Sequence, residues 1–341
     1  MATTTTRPTI FVGVDTHADT HHVAIVNEHG KKLDDREFDT TATGYAGIEE
    51  WIRSIGNVAQ VGIEGTGSYG VELARHLRRH DYDVAEVPRP NRRLRRAQGK
   101  SDAIDAYAAA RRLLDGSEIT ARKNRDGAIE AVRTLRVARN NAVKAQSIAI
   151  NALRALISTS SEELRSQLRS LSRARLIATC AAFDPDLATL SDPIEATKLA
   201  LRSLAQRITD SKIHADQLKK QLAKLLEQVA PHTMAVFALG PDTAAALVIS
   251  IGDNPDRLTS EAAFARLCGV APIHRGGDRQ ANQALHTAVI VRLRYHDNTK
   301  VYAARRKRDG KTTPEILRCL KRYLAREVFR ALRADYQKIA A

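Results

Sequence analysis

The stretch IFVGVDTHADTHHVAIVN, residues 10–27, decides the fold. It holds two apolar, β-branched runs, IFVGVDT (10–16) and HHVAIVN (21–27), separated by a short polar segment. Runs of this length and composition are strands, and the connection is short enough for an antiparallel pair. Working outward, EHGKK turns the chain into a third strand over 33–38, which completes a meander. A helix is expected over 43–55, where Ile48, Trp51 and Ile52 recur at helical spacing. VAQVGI (58–63) is the next strand, and GTGSYG then leads into a helix over 69–80 and a last strand at 82–87.

The expected order is βββαβαβ, a mixed sheet flanked by helices. That is an RNase H-like α/β arrangement, and it licenses no function by itself. A basic loop follows at 88–100, and SDAIDAYAAARRLL then begins a helix with Ser101 as N-cap.

Two strand ends and this helix carry the chemistry. Asp15 ends the first strand, Glu64 ends VGIE, and Asp102 and Asp105 stand three apart at a helix start and share a face. Four clustered carboxylates repel one another unless cations neutralise them, and hard oxygen donors suit Mg²⁺, with Mn²⁺ as the alternative. Two such ions would serve a phosphodiester displacement. Taken singly, each acid reads as a turn or cap residue; the case rests on the four together. His17, His21 and His22 tempt a zinc reading, but no second ligand pair has metal spacing, and they read as solvent or packing histidines. Asp19 reads as a turn residue, and Thr16 and Thr66 as hydrogen-bonding support for the acids.

Composition points to a polyanionic partner. The 341 residues carry a net charge of +15 with a pI near 10.0, while aromatics are only 4%, which argues against base stacking as the main mode of recognition. VPRPNRRLRRAQGK (87–100) holds Arg89, Arg92, Arg93, Arg95, Arg96 and Lys100 and no acid. Residues 270–341 hold 17 Lys/Arg against 6 Asp/Glu, among them Arg275, Arg279, Arg305, Arg306, Lys307, Lys321 and Arg322. These are the candidate phosphate contacts; the bland alternative is a solvated basic surface. Cys180, Cys268 and Cys319 lie far apart without CxxC spacing, so neither a disulfide framework nor a zinc knuckle is expected, and a cytoplasmic location is. The first residues have no export-signal pattern, and no apolar run reaches the ~18 residues of a membrane span.

Residues 126–229 are long-helical, interrupted near 158–162 and 183–194. Leu201, Leu204, Ile208, Ser211, Ala215, Leu218, Leu222, Leu225 and Val229 form a heptad seam, weakened at Ser211 and Ala215, which fits an antiparallel hairpin or a dimerising coiled coil equally. Pro231 ends it. FALGPDTAAALVISIGD then has a Gly-Pro turn like that of a helix-hairpin-helix element, or of a plain helical turn, and a basic helical region follows to the end. Three regions result: 8–125, 126–230 and 231–341.

At GVDTH, GIEGTGSYG and KSDAIDAYAAARRL the chain resembles the DEDD-type transposases of the insertion-sequence-110 family, which includes Piv-type DNA invertases and RNA-guided bridge recombinases. The resemblance continues through LGPDTAAALVISIGDNPDRLTSEAAFARLCGVAPI, HRGGDRQANQALH and EILRCLKRYLAREVF, nearly the whole chain. It implies a RuvC-like N-terminal domain, a coiled-coil linker and a mainly helical C-terminal transposase domain. It also implies a Mg²⁺-binding tetrad at Asp15, Glu64, Asp102 and Asp105, DNA substrates, a guide non-coding RNA, and a homo-oligomer, dimer or tetramer.

In one place the sequence departs from that pattern. The resemblance implies a loop after the CGVAPI-like stretch, and a serine of that loop as nucleophile. Here Ile273 is followed at once by His274-Arg275-Gly276-Gly277, and no serine follows Ser260, which matches a structural position. The serine does not carry over, and Thr287 is a poor substitute. Three functions follow: a transposase and site-specific recombinase, a catalytically impaired nucleic-acid-binding remnant or regulator, and a RuvC-like structure-specific endonuclease.

Overall fold

A computed structural model describes residues 7–66, 68–87, 102–115, 127–254, 257–271 and 277–340. The chain divides into two compact units, Met1–Asp126 and Gly127–Ala341.

The first unit is a five-stranded mixed sheet in the order β3-β2-β1-β4-β5, with β1 Thr9–Thr16, β2 Thr20–Asn27, β3 Lys32–Asp39, β4 Asn57–Glu64 and β5 Val84–Val87. β1 runs antiparallel to β2 and β2 to β3, whereas β4 runs parallel to β1 and β5 to β4. The element order is the one expected from the sequence. Helix α1 (Ala42–Ile55) starts at Thr41, whose side chain accepts from the Gly44 amide, and α2 spans Val71–Arg79. Both lie on the face formed by Ile10, Val12, Val14, Val23, Ile25 and Ile63, because alternate strand residues point to one side. Ile48, Ile52, Leu73 and Leu77 fill that core.

Helix α3 (Asp102–Leu114) covers the opposite face; Ala24, Ala85, Ala106, Ala109 and Ala110 are buried in this contact, with Val26, Val87, Tyr107 and Leu113 beside them. At its centre, Gly13 of β1 pairs with Gly62 of β4. A Cβ on Gly13 would stand 2.0 Å from the Ala106 carbonyl oxygen and 2.3 Å from the Ala110 nitrogen, so no other residue fits beneath the helix. Tyr107 anchors α3 laterally; its hydroxyl donates to Asp35 at 2.8 Å, and His22 Nε2 lies 2.7 Å from the other Asp35 oxygen.

The second unit is helical: α4 Ala128–Thr159, α5 Glu162–Leu168, α6 Arg173–Ala181, α7 Pro193–Val229, α8 Pro231–Ala235, α9 Pro241–Ile251, α10 Glu261–Leu267, α11 Arg279–Tyr295, α12 Asp297–Arg308 and α13 Thr313–Ala340. The interruption between the long helices thus contains two short ones. The start of α4 (Ile129, Val132) packs with the end of α7 (Leu222, Leu226, Val229), and the end of α4 (Ala149, Leu153, Ile157) with Leu201, Ala205 and Ile208. The pair is therefore an antiparallel hairpin. Ala205 and Leu226 are buried on this seam, whereas Leu204, Leu218 and Leu225 are only half-buried, which corrects the heptad reading there; Ser211 is half-buried, as a weak position, and Ala215 is buried. The base of the hairpin shares one core with α9, α11 and α13. Buried Asp335 of α13 accepts from the amides of His232 and Thr233, at 2.8 and 2.9 Å, and so caps α8. Among the described residues, no helix is long and apolar enough to cross a membrane.

Candidate active site

The paired glycines decide where the acids stand. Two residues beyond Gly13 on the same strand face is Asp15, and two beyond Gly62 is Glu64. The register runs to Val14 beside Ile63, so the two acids follow at the adjacent carboxyl ends of parallel strands. The seat that lets α3 approach brings its first turn, with Asp102 and Asp105, over the same edge. Asp15, Glu64 and Asp105 are buried at 5%, 2% and 8% exposure, and Asp102 is half-buried. The four sequence-predicted acids thus stand at one edge of the sheet, two at strand ends and two on the first turn of α3.

Burial raises the Asp15 carboxyl above its ordinary pKa; His17 opposes that shift, and the Asp105 and Asp102 carboxylates add to it. Thr16 donates to the Glu64 carbonyl at 2.8 Å and ties the two strand ends together, as expected of it. After Glu64 the chain turns at Gly65, whose φ of +67° favours glycine. The Ser68 and Gly70 amides donate back to the Gly65 carbonyl, which holds these residues close to the end of β4. Thr66 is buried in that turn.

One residue must be reassigned. His17 is not a mere solvent histidine, because its Nε2 lies 3.3 Å from Asp15 Oδ2 and 3.3 Å from Asp102 Oδ1. Ligand atoms of Asp15, His17 and Asp102 all fall within 4.8 Å of one another, a spacing compatible with one cation. The signal was present in the sequence: His17 stands two after Asp15, on the same side of an extended chain. His21 and His22 do pack as expected. His21 is buried and stacks on Tyr45, and His22 serves Asp35.

The basic candidates separate into groups. Arg89, Arg92, Arg93, Arg95, Arg96, Lys100 and Arg275 lie outside the described residues, as does Ser101. Arg305 and Lys307 are exposed on α12, and Arg306 pairs with Asp309 at 3.2 Å. Arg279 is exposed at the start of α11, where it lines a cleft of about 320 Å³ with Arg136, Asp242, Gln280 and Thr287. Lys321 and Arg322 serve the fold itself: Lys321 donates to Asn282 at 3.0 Å, and Arg322 lies 3.4 Å from the Glu261 carboxylate. Burial, with Arg318 nearby, lowers the Lys321 ammonium below its usual pKa. Ser260 accepts from the Ala263 amide at 3.1 Å as the N-cap of α10, the structural role expected of it.

A family model for transposases, of the DEDD insertion-sequence type, matches residues 12–161 and so takes in all four acids. A second, described as the transposase IS116/IS110/IS902 family, matches residues 232–304. We found no match among curated proteins. With two models of one family matched along about two thirds of its length, the chain belongs to the IS110-type transposases.

Proposed function

We propose that this chain is the transposase and site-specific DNA recombinase of an insertion sequence, and that Asp15, Glu64, Asp102 and Asp105 form its metal-binding tetrad. The observation that carries this reading is the glycine seat, which brings the first turn of α3 to the ends of β1 and β4 and gathers four acids where burial and their mutual repulsion disfavour the charged forms, a cost that a divalent cation offsets. The donor set fits Mg²⁺, and the His17 nitrogen makes Mn²⁺ an equally good occupant. Divalent ions held there supply an activated attacking oxygen and a stabilised leaving oxygen in phosphodiester displacement. The chain's own residues fix the geometry: the acids hold the site, His17 bridges Asp15 and Asp102, and Thr16 holds the two strand ends in register.

The strand order, with only β2 antiparallel to its neighbours, supports an RNase H-like, RuvC-like identity for region 8–125. Region 126–230 acts as the helical linker and 231–341 as the DNA-handling region, in which Arg279, Arg305, Arg306 and Lys307 contact phosphates. The six basic residues at 89–100 and Arg275 are further phosphate contacts on this reading. A guide RNA, a homo-oligomeric assembly and a cytoplasmic site of action belong to the same reading. Calorimetry tests the core of it: Mg²⁺ or Mn²⁺ binding is lost in Asp15→Ala and in Asp105→Ala, and unchanged affinity in both refutes the tetrad.

A second reading is favoured by one observation: no serine follows Ser260, and Ser260 is engaged as a helix cap. On it the chain binds nucleic acid and its cations without forming a serine–DNA link. A recombination assay with element ends and flanking RNA separates the two, since strand transfer by the unaltered chain excludes the second.

A further inference from the structure

A second constellation of nitrogen and oxygen donors lies on the other face of the sheet. Helix α2 places His76 and His80 four residues apart near its C-terminus, hence one above the other on one side. Opposite them, α1 presents Glu49, which is 9% exposed. A single carboxylate oxygen is the meeting point. Glu49 Oε2 lies 3.1 Å from His76 Nε2 and also makes a hydrogen bond with His80 Nδ1. Ligand atoms of the three residues fall within 4.8 Å of one another, and a tetrahedral ion with ligands at ~2.0–2.2 Å needs donors about 3.4 Å apart.

The surroundings fix the donors. Arg53 pairs with the other oxygen of Glu49, Oε1, which orients the carboxylate and leaves Oε2 toward the imidazoles. Tyr45 packs against the His76 ring, with centroids 6.1 Å apart, and itself stacks on His21. Held carboxylates and packed imidazoles are the outer supports that metal ligands normally have.

We propose that Glu49, His76 and His80 form a transition-metal site, with Zn²⁺ as the fitting ion, that clamps α1 to α2. Two imidazoles and one carboxylate are the borderline-soft set that Zn²⁺ takes, while Mg²⁺ prefers oxygen alone. The sheet separates it from the acidic edge, because α1 and α2 pack on Ile10, Val12 and Val14 while Asp15 shares the α3 face. Its role is structural: with a water as fourth ligand, the ion takes the place of the hydrogen bonds between Glu49 and the two histidines and links the middle of α1 to the C-terminal end of α2.

The test uses the full-length chain, with Zn²⁺ titrated calorimetrically and Co²⁺ followed by its visible absorption. Asp15→Asn combined with Asp102→Asn removes the acidic site, and in that background both signals persist. Adding His76→Gln or His80→Gln lowers affinity at least about tenfold and abolishes the tetrahedral Co²⁺ bands. His80 is half-exposed, so its variant keeps the fold, which unchanged metal-free thermal unfolding verifies. The proposal is overturned if the double-Asn chain binds no Zn²⁺ at tens of micromolar, or if binding is indifferent to both histidines.

Discussion

The two faces of the N-terminal sheet solve different problems with the same strands. On the α1/α2 face large aliphatic side chains, Ile10, Val12, Ile52, Leu73 and Leu77, fill a fully buried core. On the α3 face five alanines and two glycines stand among Val26, Val87 and Leu113, and at Gly13 the helix backbone comes against the strand. The first face supplies stability through area removed from water. The second leaves room at Gly13 for the α3 backbone, and so sets where the helix sits. Where a sheet must place reactive groups, small residues are the structural signature.

Substitutions that exchange the two strategies give the clearest tests. The largest effect is expected for Gly13→Val, since added carbons must displace α3 backbone; a loss of about 3 kcal/mol or more by urea unfolding follows from overpacking that cannot relax. A variant as stable as the parent chain would show that α3 is not seated there. Leu77→Ala, on the other face, should cost roughly 2–4 kcal/mol through cavity formation while leaving Mg²⁺ affinity in the folded protein unchanged. Altered metal affinity in that variant would break the division of labour between faces.

Smaller still is Tyr107→Phe, which removes the hydroxyl that donates to Asp35 and should cost about 1 kcal/mol. Burial alone would raise the Asp35 carboxyl, but hydrogen bonds from His22 and Tyr107, with the charges of His22 and Lys32, hold it below its ordinary value. A depressed carboxyl contributes stability above its unfolded pKa of 3.8 and loses it as pH falls through the folded value. Acid titration of unfolding should therefore show a smaller loss below pH 3.8 in Asp35→Asn than in the parent chain.

The smallest expected change has the opposite sign. Asp15 has a raised pKa, so its ionised form is disfavoured in the folded chain and the fold gains stability as pH drops through that value. In chelator-treated protein near pH 7, Asp15→Asn should raise the thermal midpoint slightly, and the advantage should vanish when Mg²⁺ is added. A lower midpoint without metal would contradict the repulsion among these acids.

Much of this was legible in the sequence. Strands such as IFVGVDT and VAQVGI declared themselves by β-branched runs, and the acids at their ends followed from position alone. The seam of α7 was legible at Leu201, Ile208, Leu222 and Val229, but not at Ala205 or Leu226, because a 3.5-residue repeat drifts along a 37-residue helix. Whether α7 paired within the chain was not legible, since hairpin and dimer bury the same stripe. His17 was missed because histidine near a carboxylate has many uses, and only the fold of α3 brings Asp102 to it. Glu49 and the two histidines of RHLRRH were silent for a similar reason: 27 residues separate Glu49 from His76, and only the packing of α1 beside α2 joins them.

The pairing of Gly13 with Gly62 also acts as a proofreader of strand alignment. If β4 slipped by two residues, Gly13 would lie beside Gln60 or Glu64, and a side chain would stand under the helix where now there is none. A side chain at the place of Gly62 would meet Val87 and Leu113, so the misaligned sheet does not accept the helix in its present seat. The same alignment sets Asp15 beside Glu64, so a chain that succeeds in docking α3 has, by that fact alone, its acids in the correct order.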